Sequence, residues 1–125
     1  MLTVVAGVIR RDGRILICQR RRGSRHAFKW EFPGGKVEPG ETPVRGLERE
    51  LEEELGIRAT VGREMARYEY EYTGRPPILL VFHEVTEFAG EPENKIFEQM
   101  IWEEPQRLAS YDFLEADVRF LRELG

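Results

Sequence analysis

A single cysteine, Cys18, stands in this sequence of 125 residues, so no internal disulfide can form and a reducing compartment is implied. No apolar stretch reaches the roughly 18 residues that a membrane span requires. The apolar opening, residues 2–9, lacks the basic flank and cleavage site of a secretory leader. A formal charge of −4 argues against a surface built to neutralise duplex phosphates, and the basic exception is local: Arg20, Arg21, Arg22, Arg25 and Lys29. There is no internal repeat, no linker and no low-complexity tract. Apolar residues at 41% and charged residues at 34% exclude a collagen or a disulfide miniprotein but not an enzyme. The expectation is one cytoplasmic domain over residues 1–125, with no membrane and no nucleic-acid duplex as partner.

Residues 3–10 and 14–19 read as two strands joined through Asp12-Gly13, a strong hairpin signal. Residues 20–30 have little periodicity and read as a loop. In Glu31-Phe32-Pro33-Gly34-Gly35 a proline and two glycines argue against regular structure. Thr42 then suits an N-cap, Pro43 suits the first helical position, and Gly56 closes a helix over 43–55. Strands are expected over 58–61, 66–72, 78–88 and 99–102. Leu114, Val118, Leu121 and Leu124 fall at the spacing of a C-terminal helix. Strands and helices mix without regular βαβ alternation, which predicts an α+β fold with a mixed sheet between helices.

The helix over 43–55 carries the chemistry. At about 100° per residue, Val44, Leu47, Leu51 and Leu55 form one stripe that faces the core. Glu50, Glu53 and Glu54 gather on another side, with Gly46 one turn earlier leaving the backbone bare. Like charges at i,i+3 and i,i+4 each cost about 0.2–0.5 kcal/mol, and Glu54 sits at the end of the helix dipole that disfavours an anion. A cation among them would relieve this. Carboxylates with no nearby His or Cys form a hard-oxygen set, which points to Mg²⁺, or Mn²⁺ in its place. The plainer alternative is a solvated acidic face neutralised by Arg45 and Arg49.

The wider pattern decides between them. Gly35, five residues, Glu41, seven residues and then Arg49-Glu50-Leu51-Glu52-Glu53-Glu54-Leu55-Gly56-Ile57 resembles the Nudix box, GX5EX7REUXEEXGU with U aliphatic. Every specified position over residues 35–57 matches; chance would give the seven fixed identities on the order of once in 10⁸ windows. The segment from Trp30 to Glu38 further resembles the MutT-type branch. The likeness implies a Nudix-type α/β/α sandwich and metal-dependent hydrolysis of a nucleoside diphosphate linked to another group. It implies Glu50, Glu53, Glu54 and the Gly34 carbonyl as metal ligands, with Arg49 orienting a glutamate and Glu53 as the general-base candidate.

The MutT-type likeness also implies conversion of a nucleoside triphosphate to monophosphate and diphosphate, with 8-oxo-dGTP as an expected substrate. Arg20 would then contact phosphate, Glu31, Phe32, Pro33 and Gly34 would line the substrate site, and Asp117 would read the base edge. The alternative readings are a core aromatic for Phe32 and a charge at a helix N-terminus for Asp117. His26 and His83 read as loop and strand residues. One departure stands out: a further family glutamate, six residues before the tryptophan of Trp-x-x-Pro, falls here on Ile96, leaving Glu98 or Glu93 as substitutes. Other readings are a CTP or dCTP, ADP-ribose or dinucleoside polyphosphate hydrolase, and a non-catalytic nucleotide-binding module. The protein is expected to be a monomer or a homodimer.

Overall fold

The computed structural model describes residues 1–124; Gly125, the last residue of the expected domain, lies outside the described residues. Its strands are β1 (Leu2–Arg11), β2 (Arg14–Gln19), β3 (Trp30–Glu31), β4 (Gly34–Lys36), β5 (Arg58–Thr60), β6 (Glu64–Tyr70), β7 (Ile78–Val85), β8 (Glu87–Ala89) and β9 (Gln99–Glu103). The helices are α1 (Pro43–Leu55) and α2 (Glu115–Leu124), with a 3₁₀ helix at Pro105–Ser110. The main sheet runs β3-β2-β1-β7-β6, with β4 added on β1 and β9 on β2, while β5 and β8 pair separately. β1 lies parallel to β7 and antiparallel to β2 and β4, so the sheet is mixed.

Period-two alternation sorts β1 and β2 between two cores. Val5, Ile9, Leu16 and Cys18 pack with Leu47, Leu51 and Leu55 of α1. Ala6, Val8, Ile15 and Ile17 pack on the other side, with Phe82, Phe113 and Phe120. Both faces are covered, which is why these strands read as near-continuous apolar runs rather than alternating ones. The sheet is thus held between α1 and α2. Asp12 (φ 53°) and Gly13 (φ 76°) form the two-residue turn that joins β1 to β2. Thr42 accepts from the Arg45 N–H at 3.2 Å, and Gly56 ends α1 in the left-handed region at φ 70°.

Several expectations need correction. Trp30–Glu31 and Gly34–Lys36 are strands, despite their proline and glycines, because β2 and β1 supply the backbone partners. The expected strand over 78–88 divides into β7 and β8, which join different sheets. Val44 and Val118 are each 38% exposed, because Leu47, Leu51 and Leu55 fill the core side of α1 and Ala116, Asp117 and Phe120 that of α2. Gly46 faces Glu41 and Val37, not the carboxylates of the last turns. Among the described residues no helix is long and apolar enough to cross a membrane.

Candidate active site

β4 lies beside α1, and the contact requires glycine twice. A Cβ on Gly34 would stand 2.0 Å from the Val5 carbonyl oxygen, so only glycine lets the chain close onto β1 there. A Cβ on Gly35 would stand 2.6 Å from the Glu50 carboxylate, so Gly35 opens the space that Glu50 fills. The Gly7 N–H donates to the Pro33 carbonyl at 2.8 Å, which fixes the approach to this strand.

Arg49 organises the acidic face. Its Nε and Nη2 donate to the two oxygens of Glu41 at 2.8 and 3.0 Å. Nη1 reaches Glu50 at 2.9 Å and Glu53 at 3.2 Å, and Nη2 also donates to the Lys36 carbonyl at 3.0 Å. The planar fork thus grips one glutamate with two bonds and still steers two others. Bonding to Arg49, aided by the Glu38 N–H, pulls the Glu41 carboxyl down to about 2. Glu41 is therefore a permanent counter-charge.

Glu54 behaves in the opposite way. Burial, followed by the charges of Glu50 and Glu31, pushes its carboxyl up to about 9, against the pull of the Gly34 N–H. Its Oε1 is buried without a hydrogen-bond partner among the described residues, a costly state for a polar atom. Among those residues no three acidic, imidazole or thiol groups already converge as a ready ligand set. Arg49 holds Glu50 and Glu53, while Glu54 borders the cavity. A hard divalent cation fits such a place, because it takes oxygen ligands and would satisfy the orphaned Oε1.

That cavity, of about 530 Å³, is lined by Gly34, Gly35 and Glu54 and also by Ala116 and Asp117. Arg20 and Glu31 line it, paired at 3.1 Å. Burial pushes the Glu31 carboxyl up despite Arg20. Asp117, 4% exposed in the first turn of α2, is pushed up to about 8 by burial and then by the Glu31 charge, opposed by the Phe32 N–H. A carboxyl raised in this way keeps its proton to higher pH, and when protonated it offers both a donor and an acceptor.

The NUDIX domain family model matches residues 1–124. The chain belongs to the Nudix family. It is 43% identical over 121 residues to the CTP pyrophosphohydrolase of Escherichia coli, covering 97% of this chain and 89% of that one. It is 38% identical over 125 residues to the 8-oxo-dGTP diphosphatase of Haemophilus influenzae, covering 99% and 91%. The solution structure of the E. coli ORF135 protein superposes with a TM-score of 0.88 at 43% identity, over 98% of this chain and 86% of that one. The MutT NUDIX hydrolase from Burkholderia pseudomallei gives 0.86 at 28% identity, over 98% and 96%. This Nudix chain is thus an enzyme of the hydrolase class with MutT-like relatives.

Within the Nudix domain, Glu50, Glu53, Glu54, Arg49 and Gly34 lie together around β4 and the later turns of α1. Arg20, Glu31, Phe32 and Asp117 share the cavity with Gly34, whereas Pro33 is not among the lining residues and its carbonyl instead accepts from the Gly7 N–H. Phe32 borders the cavity but is only 3% exposed and packs with Phe82, Phe113 and Phe120. Glu98 turns toward the basic loop, where its carboxylate accepts from the Arg22 N–H at 3.3 Å. Ile96 borders the cavity. Sequence reasoning missed Glu41 as the two-bond partner of Arg49 and Gly35 as the space for Glu50. Both are fixed box positions, so the pattern carried a signal without the contact.

Proposed function

We propose that this Nudix hydrolase cleaves a nucleoside triphosphate to the monophosphate and diphosphate, using Mg²⁺ or, in its place, Mn²⁺. The observation that carries the proposal is one cavity lined both by the Glu54 carboxyl, whose buried Oε1 has no partner among the described residues, and by the buried Asp117 carboxyl. Glu50, Glu53, Glu54 and the Gly34 carbonyl would hold the metal. Such an ion supplies charge neutralisation for the polyphosphate and lowers the pKa of water. Arg49 keeps Glu50 and Glu53 oriented, and Glu53, with its side chain 58% exposed, is placed to take the proton from the attacking water. Glu98 engages the loop instead of α1, so it ranks behind Glu53 as the base.

Arg20 and Glu31 line the same cavity, where Arg20 would contact a phosphate oxygen and Glu31, paired with it, would restrain it. A neutral Asp117 carboxyl matches an acceptor beside a donor on a base edge. 8-Oxoguanine offers that pair at O6 and N7–H, and cytosine offers it at N3 and N4–H₂. The first reading is clearance of oxidised nucleotides such as 8-oxo-dGTP. The second, CTP or dCTP, draws on the relative at 43% identity. A small nucleotide is the sole partner required, in the cytoplasm, with the chain as a monomer or homodimer.

Diphosphate release from 8-oxo-dGTP, the eight common triphosphates and ADP-ribose, with Mg²⁺ and with chelator, tests the proposal. Chelator-sensitive release from one or two triphosphates is expected. Turnover of ADP-ribose alone, or binding without turnover, would discard it.

A further inference from the structure

We infer that His26 and Tyr72 form the stacking wall against which the substrate's nucleobase lies; this rests on the nucleotide reading above and assigns the residues that set affinity for the base. The need for such a wall follows from Phe32. Its ring packs 5.3 Å from Phe113, 5.7 Å from Phe120 and 6.1 Å from Phe82, so its faces are committed to the core. The available π surface in the cavity belongs to His26, which is exposed, and to Tyr72, which is half-buried. Their ring centroids are 4.8 Å apart with 31° between planes.

Both rings are held in place from behind. The Tyr72 hydroxyl accepts from the Ala116 N–H at 3.2 Å, one residue from Asp117, and the Tyr70 ring abuts Tyr72 edge-on at 4.9 Å. His26 sits in the left-handed region at φ 57°, a conformation that persists in a non-glycine residue only where its surroundings hold it. Here the Lys29 N–H donates to the His26 carbonyl at 3.2 Å, and Arg20 Nε donates to the Arg25 carbonyl at 2.6 Å. Burial and the neighbouring Arg20 and Arg25 charges keep the imidazole below its ordinary value, so the ring is neutral at pH 7.5. A base directed edge-on at Asp117 would therefore lay its face on a pre-formed, uncharged aromatic surface. Asp117 reads the edge and the ring pair supplies sequence-tolerant affinity.

His26→Asn removes the ring while keeping a residue that tolerates the left-handed region, and His26→Phe restores a π face. Thermal melts of both variants serve as the control for folding. Calorimetric binding of CMP and 8-oxo-dGMP is compared with that of base-free ribose 5-phosphate, alongside kcat and KM on the preferred triphosphate. In His26→Asn the Kd of the preferred monophosphate and the KM of its triphosphate should rise about tenfold with kcat within about threefold. Ribose 5-phosphate should bind unchanged, and His26→Phe should recover most of the loss. An unchanged monophosphate Kd in His26→Asn, or an equal loss for ribose 5-phosphate, would overturn the wall. A wild-type protein that neither binds nor turns over any of these nucleotides would overturn the nucleotide reading itself.

Discussion

Replacing Asp117 with Asn should remove the pH dependence of stability that this one position gives the metal-free protein. The side chain is buried, and its carboxyl is raised from 3.8 to about 8 by burial and by Glu31. The folded state therefore keeps a proton that the unfolded chain releases above pH 4. Stability from this group is intact below its unfolded value and is lost as pH climbs through the folded one. At about 1.4 kcal/mol per pH unit, four units set an upper limit of about 5 kcal/mol, which water penetration and relaxation will reduce. Asn has the same shape and does not titrate. Thermal melts of both proteins in chelator, from pH 5 to 8.5, read the difference. The variant should be near wild type at pH 5 and gain steadily above it, by about 4 °C in Tm per kcal/mol. Parallel pH profiles would show that Asp117 is ionised in the fold and would refute its role as a donor.

Further tests address the carboxylates of α1. Glu53→Gln should lower kcat by several orders of magnitude without changing Tm beyond a degree or two, because Glu53 is more than half exposed and has one Arg49 bond; near-normal turnover would remove it from the mechanism. Gly35→Ala should raise the Mg²⁺ requirement at least tenfold by forcing the Glu50 carboxylate aside, as read by a metal titration of activity; an unchanged titration would clear Glu50 of metal contact. Calorimetry of Mg²⁺ binding in two buffers of different ionisation enthalpy should detect about one proton released per ion near pH 7, because Glu54 holds a proton until a cation replaces it. No release would place Glu54 outside the ligand set.

The local signals were strong where one segment closes its own structure. Thr42, Pro43 and Gly56 delimit α1 without help from the rest of the chain, and Asp12-Gly13 turns the hairpin. Legibility failed where the partner is distant. Gly34–Lys36 has the composition of a loop, yet the β1 backbone makes it a strand. Helical spacing proposed Val118 as an anchor, but the sheet receives Phe120, stacked on Phe82 at 4.0 Å. In the site, the carboxylate cluster was visible as spacing along one helix. The proton held by Asp117 was not, because it arises from burial and from Glu31 on another element.

Cys18 has a use that the chemistry of the site does not touch. Its side chain is fully buried on β2 in the layer beneath α1, and burial with the Glu31 and Glu54 charges pushes the thiol up. A thiol reagent can reach it only when β2 parts from its neighbours, which include β1, β3 and β9. As the sole cysteine of the chain, it gives an unambiguous signal. Its labelling rate is thus a native clock for the opening of the floor under α1, and ligands that fasten that floor will slow the clock without any engineered probe.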